Sequence, residues 1–252
     1  MSYSSFQEFS KVVVKDFIQN VVLIDDMASF EIKKEPESLV VPTKKKRRVE
    51  KRIDDTEHVQ TSIDSAHSLN AHEITQSFLE NGLLCTVIKP TSLEKIESIA
   101  LVADKADVVI LDWKLNLISE DKSKSLEEDY TNDALELLNK IIDRDIKNSP
   151  RLRVIVVYTG ETLISVYESI RNLLRAKRIK VEIEDSKGLC CGNDNLRIKI
   201  IGKKILNKSK NCCDESELPD VVLSEFSKMT DGLLPSFVLH AFSSIRKLSS
   251  FF

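Results

Sequence analysis

The sequence predicts an α/β fold, a parallel sheet with helices on both faces. Three observations predict it. Short apolar runs rich in β-branched residues have the character of strands buried on both sides: Val21-Val22-Leu23-Ile24, Val108-Val109-Ile110-Leu111 and Val154-Ile155-Val156-Val157. Segments with apolar residues at helical spacing lie between them, the alternation produced by crossover connections. The runs also end on polar groups: Asp25 and Asp26 after the first, Asp112 after the second, Thr159 just after the third. In open parallel sheets, ligands bind at the carboxyl ends of the strands.

Composition narrows the class. The chain has 252 residues, enough for one large domain or one domain with insertions. Apolar residues make up 42%, ample for a core, and the net charge of −3 gives no electrostatic case for nucleic acid or a membrane. No apolar stretch approaches the roughly 18–20 residues of a membrane span. The N-terminus lacks the basic start and long apolar stretch of a secretory signal. Five cysteines, an odd number, then imply reduced thiols and a cytoplasmic location. Cys190-Cys191 and Cys212-Cys213 lack the spacer residues usual within zinc-binding pairs.

Element by element, residues 4–19 form a helix, with Phe6, Phe9, Val13 and Phe17 at helical spacing. The first strand is Val21–Ile24. Residues 30–66 lose all hydrophobic periodicity and carry EIKKEPE and Lys44-Lys45-Lys46-Arg47-Arg48, so they read as a mobile insertion. The basic run reads as a solvated loop ahead of a nucleic-acid contact or a nuclear address. A helix over 71–79 ends at Asn81-Gly82, a plausible C-cap, and a strand over 83–88 ends at Pro90. Thr91 or Ser92 caps a helix running through Leu93, Ile96, Ala100 and Ala103.

After the central strand comes a long polar loop over 116–131. Ala134, Leu137, Leu138, Ile141 and Ile142 line one face of the next helix, which Pro150 breaks. The strand over 154–157 precedes a helix through Leu163, Tyr167, Ile170 and Leu174. Strands over 179–183 and 196–201 suggest an extra hairpin whose second arm completes a five-stranded parallel sheet. Residues 207–219 are polar. Residues 221–250 are helical, and Gly232 and Pro235 predict two helices or a break there. The expected organisation is a unit over 1–206 and a C-terminal helical extension over 207–252, packing on it or leaving it.

The pieces LIDD, VVILDWKL, VIVVYTG and IIGKK, spread over residues 18–206, resemble a response-regulator receiver domain, a flavodoxin-like fold. The order acid pair, single acid, threonine, lysine at strand ends is that of the family. The resemblance implies a Mg²⁺ ion held by Asp25, Asp26, Asp112 and the backbone carbonyl of Lys114, with Asp25 acting largely through a water. It implies that Asp112 accepts a phosphoryl group, that Thr159 hydrogen-bonds that group, and that Lys203, or alternatively Lys204, pairs with it. The implied partner is a histidine kinase or phosphotransfer protein. The C-terminal helices would engage an effector or a second copy. No enzymatic turnover is implied beyond self-phosphorylation from a donor and slow self-dephosphorylation. The N-terminal helix, the insertion and the tail GLLPSFVLHAFSSIR further resemble a divergent bacterial receiver group found in conflict and antiphage signalling.

Elementary chemistry runs alongside. A carboxylate does not approach a phosphoryl group unless the negative charge between them is offset, and a hard divalent cation among oxygen ligands does that. The chain also departs from the family pattern. Lys203 is followed by Lys204 where proline is usual, and Ile198-Lys199-Ile200-Ile201 carries no aromatic residue. The loop after Asp112 lacks the usual proline and Asp-Gly. These departures favour a second reading, a pseudo-receiver that binds partners without phosphorylation. A third, a phosphatase with an aspartate nucleophile, needs a second acid two residues on, where Lys114 stands. Trp113 lies either near the site as an optical reporter or in simple packing. His58, His67, His72 and His240 are scattered and suggest no phosphotransfer role.

Overall fold

The computed structural model of the chain describes residues 3–31, 69–92, 95–117, 130–147, 151–204 and 211–249. The insertion expected over 30–66 lies outside them from residue 32, and the loop expected over 116–131 lies outside them from 118 to 129.

Val21–Ile24 (β1) is the inner strand from which the sheet grows. Cys85–Ile88 (β4) pairs with it on one side and Val108–Leu111 (β5) on the other, both parallel. Arg153–Thr159 (β6) pairs with β5, and Leu196–Lys203 (β9) with β6, again parallel. The parallel order is therefore β4-β1-β5-β6-β9. Beyond β9 the sheet turns antiparallel through Cys190–Gly192 (β8) and Ile183–Asp185 (β7). Cys212–Cys213 (β10) runs parallel to the last two residues of β9, past the point where β8 stops. A separate two-stranded piece joins Ala28–Ser29 (β2) to Leu69–Asn70 (β3).

The α/β class, the five parallel strands and the extra hairpin expected from the sequence are all present. The hairpin differs in detail. The strand expected over 179–183 is Ile183–Asp185; Ile179 and Val181 pack against the core outside any ladder. The arm that pairs with it is β8, and β9 then continues as a further strand. Three residues ending in glycine are too short to announce a strand. Gly192 sits at φ +149°, and a Cβ there would meet the Leu196 carbonyl oxygen at 1.9 Å.

Period-two alternation divides the sheet into two cores. Val22, Ile24, Val109, Leu111, Ile155, Val157, Ile198 and Ile200 face one way. Helices Ile96–Asp104, Tyr130–Lys147 and Leu163–Ala176 cover them. Val21, Leu23, Val108, Ile110, Val154 and Val156 face the other way. That face is covered by Tyr3–Phe17 (α1), Ala71–Glu80 (α2) and Leu218–Met229 (α6), so the three helices just named are α3, α4 and α5 in chain order. Fully burying each such side chain is worth about 1.5–3 kcal/mol.

Two helix boundaries carry information. α2 is capped by the Asn70 side chain, which accepts from the N–H groups of His72 and Glu73, and ends at Asn81, with Gly82 at φ +66°. α3 starts at Ile96 with Lys95 at its N-cap, and no side chain bonds that cap; residues 93 and 94, on which the cap expected at Thr91 or Ser92 bears, lie outside the described residues. At the C-terminus there are two helices, as expected, α6 and Leu233–Ser249 (α7). α6 inserts Leu218, Val222 and Phe226 into the second core, where the Phe226 ring lies 5.7 Å from that of Phe17. α7 packs outside, against α1.

Candidate functional site

Strand register assembles the site. Ile24 pairs with Leu111, so Asp25 and Asp112 come level one step beyond the strands. The ladder continues into them: Asp112 N–H donates to the Ile24 carbonyl (2.9 Å) and Asp25 N–H to that of Ile88 (3.1 Å). Asp26 follows as the chain turns. One carboxylate oxygen from each of Asp25, Asp26 and Asp112 lies within 4.8 Å of the others, and all three residues are buried.

Lys203, the last residue of β9, reaches into this cluster. Its Nζ donates to Asp25 Oδ2 at 3.0 Å and to Asp112 Oδ2 at 2.9 Å, and Lys203 is 5% exposed. The ring centroid of Tyr158 is 5.6 Å from the same Nζ, and the Tyr158 hydroxyl donates to the Cys213 carbonyl at 3.2 Å. Lys204 points away into solvent and pairs with Asp214 at 2.6 Å. Of the two lysines left open by the sequence, Lys203 is thus the one at the acids. β10 sits beside it, pairing Cys213 with Lys203.

The remaining carboxylate oxygens find backbone donors, with one exception. Asp25 Oδ1 accepts from Met27 N–H at 2.7 Å, Asp112 Oδ1 from Lys114 N–H at 3.3 Å, and Asp26 Oδ2 from Asn116 N–H at 3.1 Å. Asp26 Oδ1 is buried and has no hydrogen-bond partner among the described residues. Thr159, at the end of β6, is fully buried; its hydroxyl accepts from Glu161 N–H at 3.1 Å and makes no hydrogen bond to the acids. Trp113 is buried in the first core, directly after Asp112.

Charge is out of balance here. Burial raises the pKa of Asp25, Asp26 and Asp112 above the ordinary carboxylate range. Lys203 opposes the rise at each of them, but among the described residues it is one ammonium against three buried acids. Burial also works against the charge of Lys203, yet Asp112 and Asp25 hold its pKa above the ordinary lysine value. A donor set of oxygens alone, an excess of negative charge and one unpartnered buried oxygen fit a hard divalent cation such as Mg²⁺. Asp25, Asp26 and Asp112 are the residues placed to hold it.

Two contributors escaped the sequence. The contact of Tyr158 with Lys203 depends on the register of β9. Glu215 lies in a stretch that reads only as polar. Its carboxylate accepts from Asn70 N–H at 3.2 Å, and burial pushes its pKa up to about 7, with Glu73 and Asp25 adding to the rise. The sequence signal available was Asp214 with Glu217 three residues on, a capping box that forms.

Residues 17–208 match the family model of the response receiver domain. The match covers well over half of the chain, which therefore belongs to that family. No curated protein and no solved structure matches the chain. Receiver domains are generally signalling modules rather than enzymes. Among the described residues, no helix is long and apolar enough to cross a membrane.

Proposed function

We propose that this receiver is a phosphoacceptor, with Asp112 taking a phosphoryl group from a partner histidine kinase or phosphotransfer protein. The observation that carries the reading is the contact of Lys203 with Asp112 at 2.9 Å inside a buried group of three acids. A Mg²⁺ ion held by Asp25, Asp26, Asp112 and the Lys114 carbonyl would offset the charge between carboxylate and phosphoryl group. An Asp112 carboxylate oxygen attacks phosphorus, the P–N bond of the donor phosphohistidine breaks, and the imidazole leaves with the bonding pair. Lys203 follows the new charge, exchanging its bond to Asp112 for one to a phosphoryl oxygen, while Asp25 keeps the other side of the ammonium in place. The Thr159 hydroxyl donates a hydrogen bond to a second phosphoryl oxygen. The residues from 207 to 252 act as the extension that passes the change to an effector or a second copy.

Five free thiols support a cytoplasmic setting. The N-terminal helix, the insertion and the tail support placing the pathway among bacterial conflict systems, antiphage defence included. Intact-mass measurement with Mg²⁺ and a small acyl-phosphate donor tests the reading. One phosphate should add to the chain and none to Asp112→Asn. No gain from any donor, with metal bound, would overturn it.

One observation favours the pseudo-receiver instead. β9, Leu196–Lys203, carries no aromatic residue to move with the phosphorylated site. On that reading partner affinity is the same for the wild-type chain, with or without donor, and for Asp112→Asn.

A further inference from the structure

α7 is amphipathic in the wrong direction for a surface helix. The face it turns to the body is narrow and largely polar. Ser236, Leu239 and Ser243 are buried there; Ser243 donates to the Asp16 carbonyl at 2.8 Å, and Ser236 to that of Thr230 at 3.2 Å. Arg246 donates to the Phe17 carbonyl and lies over the Phe17 ring at 4.3 Å. The opposite face is apolar and open. Leu234 is 72% exposed, Phe237 68%, Phe242 55%, Ile245 60% and Leu248 64%. A helix normally turns such a stripe to the core.

We propose that this stripe is a homodimer interface in which α7 packs antiparallel against α7 of a second copy. The spacing argues for a second copy over an unrelated partner. Leu234, Phe237, Ala241, Ile245 and Leu248 follow one another at intervals of three, four, four and three, so the pattern reads the same from either end. A two-fold axis at Ala241 sets Leu234 against Leu248 of the other copy and Phe237 against its Ile245. Self-complementarity of this kind is what an isologous contact requires. The residue at the axis is the smallest in the stripe, so the backbones can approach there.

Charge and area agree. From Leu234 to Ile245 there is no Asp, Glu, Lys or Arg, so no like charges oppose each other near the axis. Antiparallel helices also set opposite ends of their dipoles together. Phe9 and Val12 on the neighbouring α1 are open as well. With on the order of 200 Å² for each large side chain, the exposed fractions reach several hundred square ångströms per copy. A standard interface takes about 800 Å² from each partner.

Dimerisation of the unphosphorylated chain is a claim separate from phosphate uptake, and either can fail alone. The test is sedimentation of the full chain at micromolar concentration, for wild type, Phe237→Glu and Ile245→Glu. Both positions face solvent within one chain, so the unfolding temperature should match that of wild type at concentrations low enough to separate the copies. The expected result is a wild-type dimer and at least a 100-fold weaker association in each variant. Mixing Leu234→Cys and Leu248→Cys chains should give a 234–248 disulfide that neither chain forms alone. A monomer throughout overturns the proposal, whether its stripe is shielded in hydrogen exchange by its own chain or binds lipid vesicles. So does a dimer indifferent to both glutamates, or Leu234→Cys linking to itself.

Discussion

At the end of the sheet opposite Asp112 lies a second buried charge cluster, built on the first residue of the strand that Thr159 finishes. Arg153 is fully buried. Its Nη2 and Nε donate to Asp145 at 2.8 and 3.0 Å, and its Nη1 donates to the carbonyls of Ala103 and Ala106. Arg151 next to it donates to the carbonyls of Asp104 and Ala106. Each cation here has an acid, and the spare donors are taken up by the C-terminal end of α3 and the turn after it. At the Asp112 end, among the described residues, three acids share one lysine and an oxygen is left over. Both clusters pay for desolvation, but among the described residues only the Arg153 cluster is balanced. A buried charge group that balances holds the fold together; one that is short of positive charge is suited to receiving a ligand.

The largest expected effect breaks the comparison at its centre. Asp112→Asn should abolish phosphate uptake, more than about 100-fold, and leave stability equal or higher by about 1 kcal/mol, since it removes one of three crowded charges. Arg153→Met should do the reverse. It leaves Asp145 and two carbonyls without their partner and should cost about 3–5 kcal/mol in urea unfolding, with the phosphorylation rate of the folded fraction unchanged. Comparable losses of stability in the two variants would erase the distinction. Thr159→Val keeps the buried shape and removes the hydroxyl; it should slow uptake by about 10- to 100-fold with little change in stability, read in a stopped time course.

Proton linkage sharpens the comparison further. The pKa of Glu215 is about 7 in the folded chain, above the 4.5 ordinary for glutamate. The native state therefore binds more protons than the unfolded state between those values. The contribution of Glu215 to stability should be greatest below that range and fall as pH rises through it. Burial raises the three site acids in the same sense. Glu215→Gln should flatten the part of the slope nearest pH 7, measured as urea midpoints across pH. The smallest effect belongs to Lys204→Ala. Its exposed pair with Asp214 is worth about 0–1 kcal/mol, and phosphate uptake should not change.

Much of this was legible in the chain because strands buried on both faces admit few residue types. β1, β5 and β6 announce themselves, and the acids are conspicuous because they end apolar runs. Period-two reasoning weakens at the end of β9, where the final residues are buried on both sides under β10, so alternation could not choose between Lys203 and Lys204. β8 and β10 are two or three residues long and cysteine-rich, with no pattern to read. α6 begins at Leu218 inside a stretch that reads as polar. α7 shows the limit most clearly. Periodicity identifies the residues that share its face, but not whether that face turns inward, because orientation is set by the Ser243 and Arg246 contacts to α1.

A magnesium titration probes the imbalance most directly. Trp113 is the sole tryptophan and adjoins Asp112, so its fluorescence should change with one saturable site, and Mg²⁺ should raise the melting temperature. Asp26→Asn should lose both responses while staying folded. A folded wild-type chain whose melting temperature and Trp113 emission ignore millimolar Mg²⁺ would contradict the account.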